Sequence, residues 1–271
     1  MPWPSQALAA PSWTGCLPSR WESLLDRVRD RASGYLMNSR TGPGFCSVCR
    51  APVEERYIRC FACEELSRSG QPLADQVVPL AYGGHNPQSK HLLRRYKSEA
   101  LAASEGVKDL QATVLVLLYL GMDVHRECLT RTWGPWEAMT CVPSTRTGRT
   151  GVLREITEIL SVAADVPSLD VSFDSPSAVG DRSFRPEGYD VALGSVPKGG
   201  HVLVLDDTWA SGNRAQSVAT MLKMRGAGTV TVLAAGRWLE PSWPPTRAFL
   251  DVSAGSPPYD PLICPVGVCD Q

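Results

Sequence analysis

The stretch Val202 to Ser217, V-L-V-L-D-D-T-W-A-S-G-N-R-A-Q-S, constrains this chain more than any other. Four apolar residues in a row, without alternation, predict a strand buried on both faces, the kind found in parallel sheets covered by helices on either side. Two acids end the run, a turn of small residues follows, and Ala215, Val218, Ala219 and Leu222 then recur at helical spacing. Strand, loop and helix in that order put Asp206 and Asp207 where the strand ends, at the carboxyl edge of the sheet, where open α/β folds bind ligands. Ala210, Ser211 and Gly212 let the backbone approach a ligand closely. The helix behind them offers an anion its N–H groups and the positive end of its dipole. An apolar strand with two acids also fits a Walker B pattern, but no G-x-x-x-x-G-K-[ST] accompanies it. The remaining alternative is that the acids cap the next helix.

The rest of the chain repeats the alternation of strand and helix. Gln76 to Tyr82, Trp136 to Val142 and Thr229 to Ala235 predict strands. Helical segments are expected around Trp21 to Val28, at Leu92 to Lys97, over Ala100 to Met122, and over Gly151 to Ala164 with Val152, Ile156, Ile159 and Leu160 on one face. The expected class is therefore α/β with a doubly wound parallel sheet. Asp174 to Tyr189 is polar and too long for an idle connection, so it is expected to be a mobile loop. From Glu240 onward the Pro-rich sequence, with Pro241, Pro244, Pro245, Pro257, Pro258 and Pro261, predicts an irregular tail wrapped on a surface. The expected organisation is an extension over 1–44 ending in a Gly-Pro-Gly linker, a cysteine module over 45–70, the α/β domain over 71–239 and the tail over 240–271.

Charge adds exclusions. With 27 basic against 28 acidic side chains, net −1, no global field draws the chain to nucleic acid or an anionic membrane. Arg94, Arg95 and Lys97 read as a solvated helix face, with contact to nucleic acid as the alternative. The start Met1-Pro2-Trp3-Pro4 lacks the pattern of a secretory signal, and Val114 to Met122 is shorter than the ~20 apolar residues that span a bilayer. A cytoplasmic location without membrane contact is expected, and with it reduced thiols.

Nine cysteines are present. Cys46-x-x-Cys49 and Cys60-x-x-Cys63 have the spacing of two knuckles closing one tetrahedral Zn²⁺ site; four thiolates leave no open position, so such a metal is structural. Two buried or redox pairs are the alternative. Cys264 and Cys269 are spaced more loosely and read as buried thiols. His85, His91, His125 and His201 show no ligand or triad spacing.

The Val202 segment closely resembles the phosphoribosyl pyrophosphate motif of type I phosphoribosyltransferases. The resemblance implies a 5′-phosphate cradle at Ala210, Ser211, Gly212, Asn213 and Arg214, and a ribose clamp at Asp206 and Asp207 with Mg²⁺ between ribose and pyrophosphate. Arg214 stands where a hydroxyl residue is usual, Trp209 is bulky, and Ala210 stands where hypoxanthine-guanine-type relatives place an acid. A four-cysteine knuckle before such a domain is similar to the ComF family, named for a protein of bacterial DNA-uptake competence. Arg-Tyr-Lys at 95–97, Val142-Pro143 and Ala-Gly-Arg at 235–237 fit that family loosely. By the same resemblance Pro143, Ser144, Thr145 and Arg146 form a pyrophosphate loop, and Arg182 and Arg185 lie in a loop that closes over the site. Solvated loop arginines are the alternative for Arg146, Arg182 and Arg185. The function implied is binding of 5-phosphoribosyl-1-pyrophosphate, or a related phosphosugar, with transfer to a nitrogen acceptor; a non-catalytic sensor or scaffold with a DNA-processing protein partner is the alternative.

Overall fold

The computed structural model describes residues 19–98, 104–144, 151–173 and 183–267. In chain order its elements are α1 (Ser19–Val28), β1 (Met37–Asn38), α2 (Phe61–Ser67), β2 (Gln76–Gly83), α3 (Pro87–Arg95), α4 (Glu105–Val124), α5 (Arg126–Thr130), β3 (Ala138–Cys141), α6 (Val152–Ala164), β4 (Val171–Phe173), β5 (Tyr189–Val191), β6 (His201–Trp209), α7 (Asn213–Met224), β7 (Thr229–Trp238) and α8 (Pro244–Val252). The central sheet runs β1-β2-β7-β6-β3, with β2, β7, β6 and β3 parallel and β1 added antiparallel at one edge. It is the mostly parallel α/β sheet expected from the apolar runs.

Alternation within β6 and β7 shows why those runs are continuous. Leu203, Leu205, Leu233 and Ala235 enter one core with Val114, Leu117 and Leu118 of α4 and Ile156 and Leu160 of α6. Val202, Val204, Val230 and Val232 enter a second core on the opposite face with Val218, Ala219 and Leu222 of α7. A strand apolar on both sides is stable only when both sides are covered. Gly121 of α4 lies where a Cβ would come within 2.5 Å of Leu80, so a glycine inside this helix permits its close packing on β2.

Several expectations are corrected. The basic helix starts at Pro87, because Asn86 and Ser89 form a reciprocal capping box with proline in the first turn. The tail is not irregular throughout: Pro244 and Pro245 begin α8, a position where proline's missing N–H carries no penalty. Phe249 of that helix meets Tyr82 edge-on with ring centroids 5.5 Å apart. Two short strands, β4 and β5, pair antiparallel on either side of the expected loop. The N-terminal segment joins the main core, with Trp21, Leu25 and Val28 buried and Arg27 bonded to Asp109 at 2.7 Å. No helix among the described residues is long and apolar enough to cross a membrane.

Candidate functional site

β6 continues past the two acids, since Thr208 and Trp209 still pair with Gly236 and Arg237 of β7. On its other side pairing with β3 stops at Cys141 and Leu205, so among the described residues no strand pairs with that edge of β6 from Asp206 onward. Both carboxylates therefore line one cavity of about 800 Å³, although neighbouring strand residues point to opposite faces. Pro143, Ser144, Lys97 and Arg214 also line it.

Both acids are buried. Asp206 accepts the Asp207 backbone N–H at 2.9 Å. Burial, reinforced by the charge of Asp207, pushes its carboxyl up to about 7 against the pull of Arg214 and Lys97. For Asp207, burial works in the same direction, but Lys97 and the Tyr96 hydroxyl hold the carboxyl below its ordinary value. Tyr96 O–H donates to Asp207 Oδ2, and Lys97 Nζ forms an ion pair with the same oxygen. Asp207 Oδ1 is buried with no hydrogen-bond partner, an unsatisfied acceptor on a residue that lines the cavity. Tyr96 and Lys97 join the site although the sequence assigns neither of them a role there. A charged residue at the end of a basic helix carries no mark of whether it faces solvent or a cavity.

The turn after β6 builds the other half. Gly212 caps α7 with φ +86, and a Cβ there would stand 2.1 Å from the Trp209 ring. Trp209 is fully buried beneath the turn, so the bulky residue is its floor and glycine is required both by the left-handed backbone and by the indole. Ser211 Oγ accepts from the Asn213 N–H at 3.4 Å. Ala210 is exposed, and the first turn of α7 provides the N–H groups that a helix cannot pair internally. Thr145, Arg146 and Arg182 lie outside the described residues. Arg185, in the expected loop, is not one of the residues lining the cavity; its backbone N–H donates to Ser217 Oγ at 2.8 Å and its side chain is near Glu187.

Cys46, Cys49, Cys60 and Cys63 bring their sulfurs within 4.8 Å of one another, a group able to hold a metal ion. Cys49 and Cys60 stand 3.6 Å apart, close to the edge of about 3.8 Å that a tetrahedron with 2.3 Å Zn–S bonds requires. Hydrogen bonding among them holds Cys46 far below its ordinary pKa; Cys46 works to raise Cys49, but Cys60 and Cys63 bring it down to about 7. Arg50, in the left-handed region at φ +59, closes the first knuckle with its N–H to Cys46 O at 2.9 Å. Cys46, Cys49 and Cys63 share one core with Val77 and Trp209. Arg237 bridges the two: its Nη1 donates to Trp209 O at 2.9 Å and Ala210 O at 2.6 Å. Burial works to lower its pKa, but Cys49, Cys60 and Cys63 hold it above the ordinary value.

Not all cysteines are reduced. Cys128 is disulfide-bonded, which corrects the expectation of free thiols throughout. His201 is a satisfied core histidine, bonded to Gly134 O and Thr231 Oγ1, both at 2.9 Å.

No family model matches the sequence, and the curated proteins searched include none similar to it. Solved structures similar to part of the chain include an adenine phosphoribosyltransferase at 15% identity, covering 46% of this chain and 69% of the other, with a TM-score of 0.35. The Leishmania tarentolae adenine phosphoribosyltransferase aligns at 16% identity over 63% of this chain and 81% of its own, TM-score 0.35. An allosteric regulatory enzyme of purine biosynthesis aligns at 19% identity over 45% of this chain and 26% of its own, TM-score 0.30.

Proposed function

We propose that this site binds 5-phosphoribosyl-1-pyrophosphate with Mg²⁺ and transfers the phosphoribosyl group to a nitrogen acceptor. The observation that carries the reading is one cavity in which Asp206 and Asp207, on β6 beyond its pairing with β3, meet Arg214 from the first turn of α7, just after its glycine cap. Backbone N–H groups of the Ala210 to Arg214 turn orient the sugar 5′-phosphate, with the Arg214 guanidinium beside it. Asp206 and Asp207 accept the ribose hydroxyls. Pro143 and Ser144, with Thr145 and Arg146, hold the pyrophosphate, and the loop carrying Arg182 and Arg185 excludes water.

The unpartnered Asp207 Oδ1 and the neighbouring Asp206 carboxyl are hard oxygen donors, which fit Mg²⁺. When bound, that ion supplies charge neutralisation for the departing pyrophosphate. The nitrogen lone pair forms a bond to C1 as the C1–O bond breaks, and the electron pair leaves with pyrophosphate. Positioning by the two loops supplies most of the acceleration, because the displacement asks for alignment more than for proton transfer.

The four-cysteine cluster beside this sheet supports a ComF-like reading, with structural Zn²⁺ on Cys46, Cys49, Cys60 and Cys63, a cytoplasmic setting and a DNA-processing protein partner. A second reading, a phosphoribosyl sensor without chemistry, is favoured by Asp207 already having Tyr96 and Lys97 as partners and by the lack of an acid at Ala210. Pyrophosphate release from 5-phosphoribosyl-1-pyrophosphate and Mg²⁺ over a panel of amines and bases separates the two. Release with one acceptor supports transfer. Saturable binding without release supports the sensor, and neither binding nor release overturns both.

A further inference from the structure

At the corner between α4 and α5 a second group of soft ligands comes together. His125, Cys128 and Cys264 place one ligand atom each within 4.8 Å of one another. His125 and Cys128 are one helical turn apart, and Cys264 is brought to them by the returning C-terminal tail. The histidine is already oriented: its Nε2 lies 2.8 Å from the carbonyl of Pro261. A carbonyl only accepts, so Nε2 carries the proton and Nδ1 keeps its lone pair. Donation of the distal N–H to a backbone carbonyl is the arrangement that fixes tautomer and ring in metal-ligating histidines.

We propose that in the reduced protein His125 Nδ1 and the Cys128 and Cys264 thiolates bind a Zn²⁺-class ion that clamps the C-terminal tail onto the α4–α5 corner. Two sulfurs and one imidazole nitrogen are a donor set suited to that ion. The clamp has a segment to hold: Tyr259 is buried in the core containing α1 and α4, its carbonyl accepts from Ser33 Oγ at 2.6 Å, and Asn38 Nδ2 donates to Asp260 O at 2.7 Å. Because Cys128 is disulfide-bonded in the structure, the metal form follows reduction. A dithiol reductant delivers two electrons and two protons to that disulfide, one proton to the Cys128 sulfur and one to the sulfur it was bonded to, and itself becomes a disulfide; Cys264 is already a free thiol. The incoming ion then displaces the thiol protons of Cys128 and Cys264 to solvent. Metal on this corner is thus exchanged for a disulfide as the thiol poise changes.

The test uses the full chain, prepared anaerobically with zinc and a dithiol reductant, and counts metal per chain by mass spectrometry. The one four-sulfur site and the one mixed site together give about two equivalents, falling to about one after a thiol oxidant and in Cys264→Ser or His125→Ala. Limited proteolysis under reducing conditions should cut the tail between Ser253 and Cys264 several-fold faster in either variant than in the zinc-loaded wild type. About one equivalent in the reduced wild type, or two in both variants, overturns the proposal, as does a second equivalent that survives oxidation. Should the variants fail to fold, Co²⁺ titration of the reduced wild type decides. The proposal expects two spectral classes, the second with a weaker thiolate charge-transfer band and lost on oxidation; a single class overturns it.

Discussion

Replacing Arg237 with Met should disturb both the cysteine cluster and the phosphate turn. The guanidinium is nine-tenths buried and one nitrogen donates to three carbonyls, Trp209 at 2.9 Å, Ala210 at 2.6 Å and Trp238 at 2.8 Å. That nitrogen carries two hydrogens shared among the three carbonyls, and at about 1.5–3 kcal/mol per hydrogen bond from a charged donor the upper bound is roughly 3–6 kcal/mol. Water can reach the exposed Ala210 and repair part of that loss. The thiolate cluster also loses its buried counter-charge, and breaking such a pair from one side costs about 3–5 kcal/mol. We take the latter as the expected destabilisation, since the two losses overlap. Arg237→Lys keeps the charge without the planar fork and should recover part of it. Urea unfolding of the wild type and both variants, with metal retention measured on each, checks the reasoning. A midpoint equivalent to less than about 1 kcal/mol of change, with metal retained, would refute the bridge.

Other consequences are more local. Gly212→Ala should cost about 2 kcal/mol or more, because positive φ and the Trp209 ring both oppose a Cβ. Trp209→Phe should relieve the steric part only, so a double-mutant cycle by urea unfolding should show coupling of about 1 kcal/mol; additivity contradicts the contact. Tyr96→Phe removes a donor from the buried Asp207 carboxylate and should lower stability by about 1.5–3 kcal/mol, read by thermal unfolding. For Asp206, raised to about 7, the folded state holds its proton longer than the unfolded chain. Its contribution to stability therefore declines as pH rises from about 4 to about 7, and Mg²⁺-dependent binding of 5-phosphoribosyl-1-pyrophosphate should strengthen through that upper limit as the carboxylate forms. Calorimetry at pH 6 and pH 8, with sulfate expected to show the opposite trend, would expose an error in this assignment.

Local patterns were legible wherever one residue's neighbours in sequence are also its neighbours in space. The apolar runs gave the parallel strands, and the Asp-Asp-to-Gly212 spacing placed two acids and a helix start beside one another. Long-range placement was not legible. Lys97 reads as part of a solvated helix face and the sequence assigns Tyr96 no site role, yet both meet Asp207 where the chain leaves α3. His125 and Cys128 lie far in sequence from Cys264, and a pattern search confined to short spacings cannot join them. The cysteine module suggested a separate unit by its spacing, but Cys46, Cys49 and Cys63 share a core with Trp209 under the phosphate turn. Loss of a knuckle cysteine should thus reach the turn through Arg237.

The most direct measurement compares two ligands on one variant. Asp206→Asn combined with Asp207→Asn keeps side-chain shape and removes both carboxylate charges. Calorimetry should then show Mg²⁺-dependent 5-phosphoribosyl-1-pyrophosphate binding weakened by about tenfold or more, since each charged hydrogen bond contributes roughly 1.5–3 kcal/mol. Sulfate, held by the α7 N-terminus and Arg214, should bind as well as to the wild type or slightly better, because two nearby negative charges are gone. Equal loss of both ligands in a folded variant would mean that the acids serve the fold, and unchanged binding of both would contradict the ribose assignment at Asp206 and Asp207.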